Sequence, residues 1–337
     1  MAVLTMTGYE KAPKIGKKSL ILLALGIALM IPLLAAFDLN EALNSLRSIG
    51  ILPVVLSFVS IHLGVLFYNL GWYILLEGKA SFKDVFLIGW TSLFINLLIP
   101  AGSATGEVAR TYFITRKSKV QLGQALSTIV AHRVVMIIPF IVSIVLGMSY
   151  LVGSTGFGHS SIMTVLVAVV LLTLAFYLIY RISMDESKLL RLITFLERMF
   201  KRDFSKVKEM VREYSKAFRE LMKKKKMLSI SLTCAFLNWI FDMLPIFIYF
   251  NALGYWIDPL MGILIYSVSI IMVLIPIGIP GNTGVREWVM TGFLSAMGFS
   301  RGDALAITLV SSTITVFLNE LVFGFIAYLL VLKGISE

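Results

Sequence analysis

The sequence holds one cysteine, Cys234, and three histidines, His62, His132 and His159, far apart along the chain. A lone thiol excludes an intrachain disulfide and a cysteine-ligated metal cluster. The histidines lack the close spacing of a ligand set, so no metal site and no cofactor are expected. Charge is sparse as well: 15% of residues are charged against 58% hydrophobic, a balance foreign to a soluble domain. No nucleotide-binding glycine motif or catalytic constellation is present, so enzymatic activity is not expected. Acidic residues are the scarcer sign, 19 against 30 Lys and Arg. The basic excess lies mostly before Leu20 and between Arg181 and Lys226. Cytoplasmic flanks of a membrane protein account for it under the positive-inside rule, and no fold supports nucleic-acid binding.

What the sequence has is long apolar runs, continuous rather than alternating, which favours helical spans over a β-barrel. Full crossings are expected at about Ser19–Phe37, Leu52–Leu76, Leu122–Val152, Ile162–Arg181, Met227–Leu253 and Asp303–Leu332. Lys11, Lys14, Lys17 and Lys18 precede the first run, which is long for a cleavable signal and reads as a retained span. Two other regions are too short or too broken to cross. Val85–Ile99 runs into Pro100-Ala-Gly102-Ser-Ala-Thr-Gly106-Glu107-Val-Ala-Arg110 and resumes to about Arg116. Pro259–Ile275 runs into Pro276-Ile-Gly-Ile-Pro280-Gly281-Asn-Thr-Gly284-Val-Arg286-Glu287 and resumes to about Met297. Lipid cannot satisfy a broken backbone, so such breaks belong inside protein or beside a wet cavity. Matching breaks in two halves point to a transporter's binding site.

Both regions read as re-entrant hairpins, 85–116 and 259–298. The fold expected is all-α and polytopic, about six spans plus two hairpins arranged as an inverted repeat. Gly123-Gln-Ala-Leu and Gly302-Asp-Ala-Leu begin the spans after the two hairpins, a shift of about 179 residues. The domain organisation follows: a basic N-terminus at 1–18, a first membrane half at 19–181, a basic amphipathic segment at 182–226 and a second half at 227–333. Counting spans puts both termini in the cytoplasm of a cell-membrane protein, with Asp38–Gly50, Gly153–Ser160 and Gly254–Asp258 as outer loops. Within 187–226, apolar residues from Ile193 to Leu221 recur every three or four positions opposite a lysine- and arginine-rich face. That pattern suits an anionic membrane surface, or a helix packed on the bundle.

Charges at membrane depth cost at least about 2.5–3.5 kcal/mol each, so they mark cavities or partners. Glu107 and Arg110 share a helix face beside the first break and form either a head-group site or an internal ion pair. Arg286 and Glu287 are adjacent and expected to reach different neighbours. Glu320 is a partner for Arg286 or Arg133. Arg133, about 18 Å into its span, is the leading site residue. Asp242, with Asn238 on the same face, is a candidate for ion coupling. Pro53, Pro139 and Pro245 kink spans; Trp72, Trp239, Trp256 and Trp288 read as interfacial anchors or packing.

The two proline–glycine motifs, Pro100 to Arg110 and Pro276 to Glu287, resemble those of the lysylphosphatidylglycerol synthase transmembrane, or flippase-like, family. The likeness extends from about Leu20 to Leu332. It implies a membrane region of the kind that stands alone, without an aminoacyl-transferase domain. The family motifs fall here on Gly102, Gly106, Glu107 and Arg110, and on Pro280, Gly281, Gly284 and Glu287. The expected function is transport of a lipid whose polar, phosphate-bearing head group crosses through a midplane cavity, whether phospholipid or polyisoprenyl phosphate. Several arginines suit phosphate oxygens. Two alternatives are a membrane glycosyltransferase or related lipid-modifying enzyme, and a non-transporting partner of an envelope enzyme.

Overall fold

The computed structural model describes residues 17–99, 104–154, 159–201, 203–274 and 277–336. Pro100, Gly102 and Pro276 lie outside that description, as do residues 1–16. Every regular element among the described residues is helical. Among the described residues, four helices are long and apolar enough to cross a bilayer, or five if one bent pair counts as a single span.

The chain begins with α1 (Lys17–Ala28) and α2 (Met30–Ala36), then turns by 101° into α3 (Leu39–Ile49). The loop expected at Asp38–Gly50 is therefore a helix. Asp38 caps it by accepting the Glu41 amide at 2.9 Å, and Ala42, Ser45 and Ile49 form its buried stripe. Such a cap satisfies one of the unpaired amides of a first turn.

The centre of the bundle is α4 (Ile51–Leu75) packed against α11 (Lys225–Ala252). They run antiparallel: Ser60 Oγ donates to the Phe241 carbonyl at 2.6 Å, and Ser231 Oγ donates to the Gly71 carbonyl at 3.1 Å. At one end of this pair Lys224 bridges to Glu77. At the other, Ile49 packs with Tyr249.

Two helix–break–helix segments fold back on themselves. In the first, α5 (Phe82–Leu98) and α6 (Ala104–Lys117) lie side by side, and Lys117 pairs with Asp84 at 2.9 Å across their open ends. At 1.5 Å per residue the longer arm reaches about 25 Å, short of a 30 Å hydrocarbon layer. In the second, α12 (Pro259–Leu274) leads through a single 3₁₀ turn, Pro280–Asn282, into α13 (Val285–Ala296). Met261 and Ile265 of α12 share a core with Met290 and Leu294 of α13.

The remaining long helices flank these. α7 (Leu122–Ser154) runs antiparallel to α12, with Ser143 and Ser267 hydroxyls 2.6 Å apart and the Tyr150 hydroxyl 3.4 Å from the Met261 sulfur. α8 (His159–Ser183) contains the run expected to span at Ile162–Arg181. The last long helix is interrupted. α14 (Arg301–Thr308) passes into a π-helical stretch, Leu309–Leu318, before α15 (Asn319–Ser336). α15 packs on α5, where Phe94 meets Gly324.

The segment read as one amphipathic helix is two. α9 (Glu186–Phe200) ends at Lys201 in a left-handed conformation, and α10 (Ser205–Lys223) follows. α10 buries Val211, Phe218 and Leu221 against the bundle, so its half of the segment is a packed helix. α9 buries nothing, and Leu192, Phe195 and Met199 are each at least half exposed. Ion pairs Arg219–Glu186 and Lys208–Glu197 fix α9 by its polar side to α10, leaving the apolar side outward.

Candidate functional site

The two breaks adjoin. Gly281, at φ +60°, lies against Leu97, the last turn of α5, and a Cβ built there would sit 2.8 Å from the Leu97 methyl. Gly284, at φ +83°, backs onto the Gly26 carbonyl of α1. Both positions need glycine, for their backbone angles and for the close approach. Pro280 begins the turn and is buried. The tips of the two fold-back segments thus meet inside the bundle, while their open ends lie at opposite ends of the α4–α11 pair.

Around the first tip, Asn96 replaces the missing helical partners. Its Oδ1 accepts the Gly106 amide at 2.6 Å and the Thr105 hydroxyl at 3.0 Å. Gly106 has no room for a side chain: a Cβ would lie 2.6 Å from the Ser92 carbonyl. The next residue, Glu107, forms an ion pair with Arg133 of α7 rather than with Arg110. The two side chains are 28% and 27% exposed. The pair is partly accessible, unlike the enclosed pair at the second break, and is open to exchange for another ionic contact.

Arg110 neither pairs with Glu107 nor reaches solvent. It is fully buried. Its Nη1 donates to the Tyr68 hydroxyl at 2.9 Å, its Nη2 lies 3.4 Å from His132 Nδ1, and its guanidinium sits 3.9 Å over the Trp72 ring. Arg110 has no carboxylate partner among the described residues. Cation–π stacking supplies about 0.5–2 kcal/mol, whereas burying an unpaired ion costs several kcal/mol. Tyr68 and Trp72 carry no separate sequence signal beyond their i, i+4 spacing on α4, which puts both rings on one face.

The second tip is braced differently. Arg286 and Glu287 pair with each other, Nε and Nη2 donating to Oε1 at 3.1 and 2.9 Å, against the expectation of separate neighbours. The side chains curl together because each has a further anchor. Arg286 Nη2 donates to the Ser312 carbonyl in the π-helical stretch at 3.0 Å, and Glu287 Oε2 accepts the Gly284 amide at 2.7 Å. Their side chains are only 5% and 1% exposed, which makes this pair a strut tying the break to the last long helix. Glu320 is half-buried and feels the charges of Arg286 and Asp242 without an ion pair to either; Arg133 is not its partner. Asp242 Oδ2 accepts from Asn238 Nδ2 at 2.8 Å and lies against Gly64, where a side chain would collide with it. Among the described residues no group of three His, Cys, Asp or Glu is placed to hold a metal ion.

Comparison with known proteins places these elements in a wider set. A family model described as the lysylphosphatidylglycerol synthase TM region matches residues 19–322. A UPF0104 membrane protein of Pyrococcus horikoshii is 25% identical over 335 residues, covering 94% of this chain and 97% of its own. One from Methanothermobacter thermautotrophicus is 26% identical over 316 residues, covering 88% and 91%. One from Methanocaldococcus jannaschii is 23% identical over 330 residues, covering 95% and 97%.

Proposed function

Since this chain belongs to the lysylphosphatidylglycerol synthase TM-region family, a family of multi-pass membrane proteins, we propose that it is a lipid transporter. In this reading a polar head group crosses where the two tips meet, while the acyl or prenyl tail stays in lipid. The observation that carries it is the convergence of both breaks, through Gly281 and Leu97, with charged side chains on each. Water-lined irregular backbone at that depth is where transporters bind their cargo. The partly exposed Glu107–Arg133 pair is the part free to exchange its ionic contact for a head group. The buried Arg286–Glu287 pair holds the frame. Asp242 is the coupling candidate, with Glu320 as its electrostatic neighbour. No catalytic step is assigned.

We also propose an inverted repeat of six spans and two re-entrant hairpins. Its support is a set of paired contacts. α12 on α7 has a counterpart in α5 on α15, each with a glycine, Gly147 or Gly324, against the backbone of the hairpin arm. The Gly123 amide donates to Glu213 of α10 at 3.0 Å, and the Gly302 amide donates to Glu41 of α3 at 3.1 Å. The end holding Lys79, Lys117, Lys224 and Gly334 is then cytoplasmic, and the end holding Asp38, Asp258 and Asp303 external. α9 lies on the inner membrane surface with its apolar side down.

The test is transport of fluorescent phospholipid in liposomes holding purified protein. Arg133→Ala is expected to abolish it without lowering the yield of folded protein. Wild-type rates in that variant remove the Glu107–Arg133 pair from the path. Product formation from labelled sugar donors in place of transport would move the protein to the lipid-modifying enzymes.

A further inference from the structure

Arg110 stands apart from the two ion pairs, and its surroundings contain donors without acceptors. Its Nε has no hydrogen-bond partner. Tyr68 uses its oxygen to accept from Arg110, which leaves its own hydroxyl hydrogen without an acceptor among the described residues. His132 turns Nδ1 toward Arg110, so in the neutral ring Nε2 carries the hydrogen. That nitrogen points away from Arg110, toward the α4 backbone at Gly71, where the Tyr68 main chain serves as its partner. Trp72 closes one side of the cluster and spends its own N–H on Thr128 Oγ1 at 3.1 Å. A wholly buried guanidinium with an unpartnered Nε–H and a phenolic hydrogen are thus gathered with no anion among the described residues to receive them. Buried polar groups in native proteins are almost always satisfied, and each exception calls for an explanation.

We propose that Arg110 and Tyr68 form an anion subsite for the phosphate of a lipid head group, shown here in its closed state, with His132 Nδ1 holding the guanidinium in place. A phosphate presents several acceptor oxygens, enough to accept from the guanidinium and from the Tyr68 hydroxyl together. The way in is from the lysine-rich end. A small pocket there, between Leu76, Gln124 and Glu220, has Thr128 in its wall, and Thr128 is the residue that anchors Trp72. Breaking the Trp72–Thr128 bond opens the stack to that pocket. The ligand's identity as a lipid rests on the transport reading; the existence of the anion subsite does not.

The experiment reads Trp72 directly. Trp90, Trp239, Trp256 and Trp288 are replaced by phenylalanine, and the protein in maltoside micelles is titrated with dioctanoyl phosphatidylglycerol, dioctanoylglycerol or inorganic phosphate. Calorimetry on the unmodified chain gives the reference affinity. The phosphatidylglycerol is expected to give a saturable change in Trp72 emission, weakened about 30-fold in Arg110→Gln, the loss expected for charged hydrogen bonds. The neutral diacylglycerol is expected to give none. Tyr68→Phe, which removes one hydroxyl, is expected to weaken binding about 3- to 10-fold and serves if Arg110→Gln does not fold. Inorganic phosphate binding as tightly as the lipid overturns the lipid as the source. No saturable response, or an equal one in both variants, overturns the subsite. Arg133→Ala keeps the two readings distinct: it is expected to lose transport and retain the Trp72 response.

Discussion

Removing Glu287 leaves Arg286 charged and buried, and the size of the resulting loss can be worked out from its surroundings. Breaking a buried ion pair from one side costs about 3–5 kcal/mol. Glu287→Leu also strips the Gly284 amide of its acceptor, and Arg286→Met strips the Ser312 carbonyl of its donor. Each unsatisfied group costs about 1–3 kcal/mol. In the double variant no charge remains unpaired, so only the two backbone terms persist, about 2–6 kcal/mol together. Simple addition of the single losses, about 4–8 kcal/mol each, would give about 8–16 kcal/mol. The double variant is therefore expected to melt no lower than the worse single one. With about 2–4 °C per kcal/mol for domains of 150–250 residues and less for a longer chain, the single variants are expected to fall by about 5–15 °C. Glu287→Leu is expected to be the milder, since Glu320 still lends Arg286 a partial counter-charge. Heating the detergent-solubilised protein and following monomer by size exclusion measures all three. Additive losses in the double variant would refute the description of this pair as a mutually dependent strut.

Four further outcomes follow from the same geometry. Gly284→Ala, at φ +83° against the Gly26 carbonyl, is expected to destabilise by more than the roughly 1–2 kcal/mol of a left-handed alanine, whereas Gly292→Ala, in open helix, is neutral or stabilising. Equal melting shifts in the two would contradict the close approach. Glu107→Gln is expected to lose most transport while lowering the melting point less than Glu287→Leu does, since its ion pair is the less enclosed of the two; a larger melting shift with transport retained would reverse its assignment. Asp185, held down at about 2 by the Ser187 hydroxyl and then the Lys188 amide, caps α9. Its stabilising effect is complete above the unfolded value of about 3.9 and lost as pH falls through about 2, so amide protection at the start of α9 is expected to drop over that window and to stay flat in Asp185→Asn. Finally, bromine-labelled lipid is expected to quench a tryptophan placed at Phe195 on α9 but not one at Phe218 on α10, and quenching at neither would lift α9 off the membrane.

The helical class and both breaks were legible because they rest on local chemistry: long apolar runs, and proline and glycine where a helix cannot continue. α4, α5, α11 and α12 fall within a few residues of the expected bounds for that reason. What sequence could not supply was partner choice. Glu107 sits one turn from Arg110 yet binds Arg133, because α7 passes alongside α6 and Arg110 is drawn under Trp72. Arg286 and Glu287 point apart on an ideal helix, but long flexible side chains and two fixed backbone anchors bring them together. α3 went unseen because Asp38, Asn40, Glu41 and Asn44 read as a polar loop, while only three of its residues face inward. The break between α9 and α10 was hidden by an apolar period that continues across Lys201 without changing step.

The glutamate contacts at Gly123 and Gly302 have an implication for how such a chain is held together. Glu213, on the helix that introduces the second half, secures the start of a long helix in the first, and Glu41 returns the arrangement in the other direction. Neither half keeps its own clasp. α14 also has a cap of its own, Ser300 accepting the Asp303 amide at 3.1 Å, so Glu41 is a second hold there. Under the proposed inverted repeat the two clasps cross between the halves, as exchanged arms do in a swapped dimer.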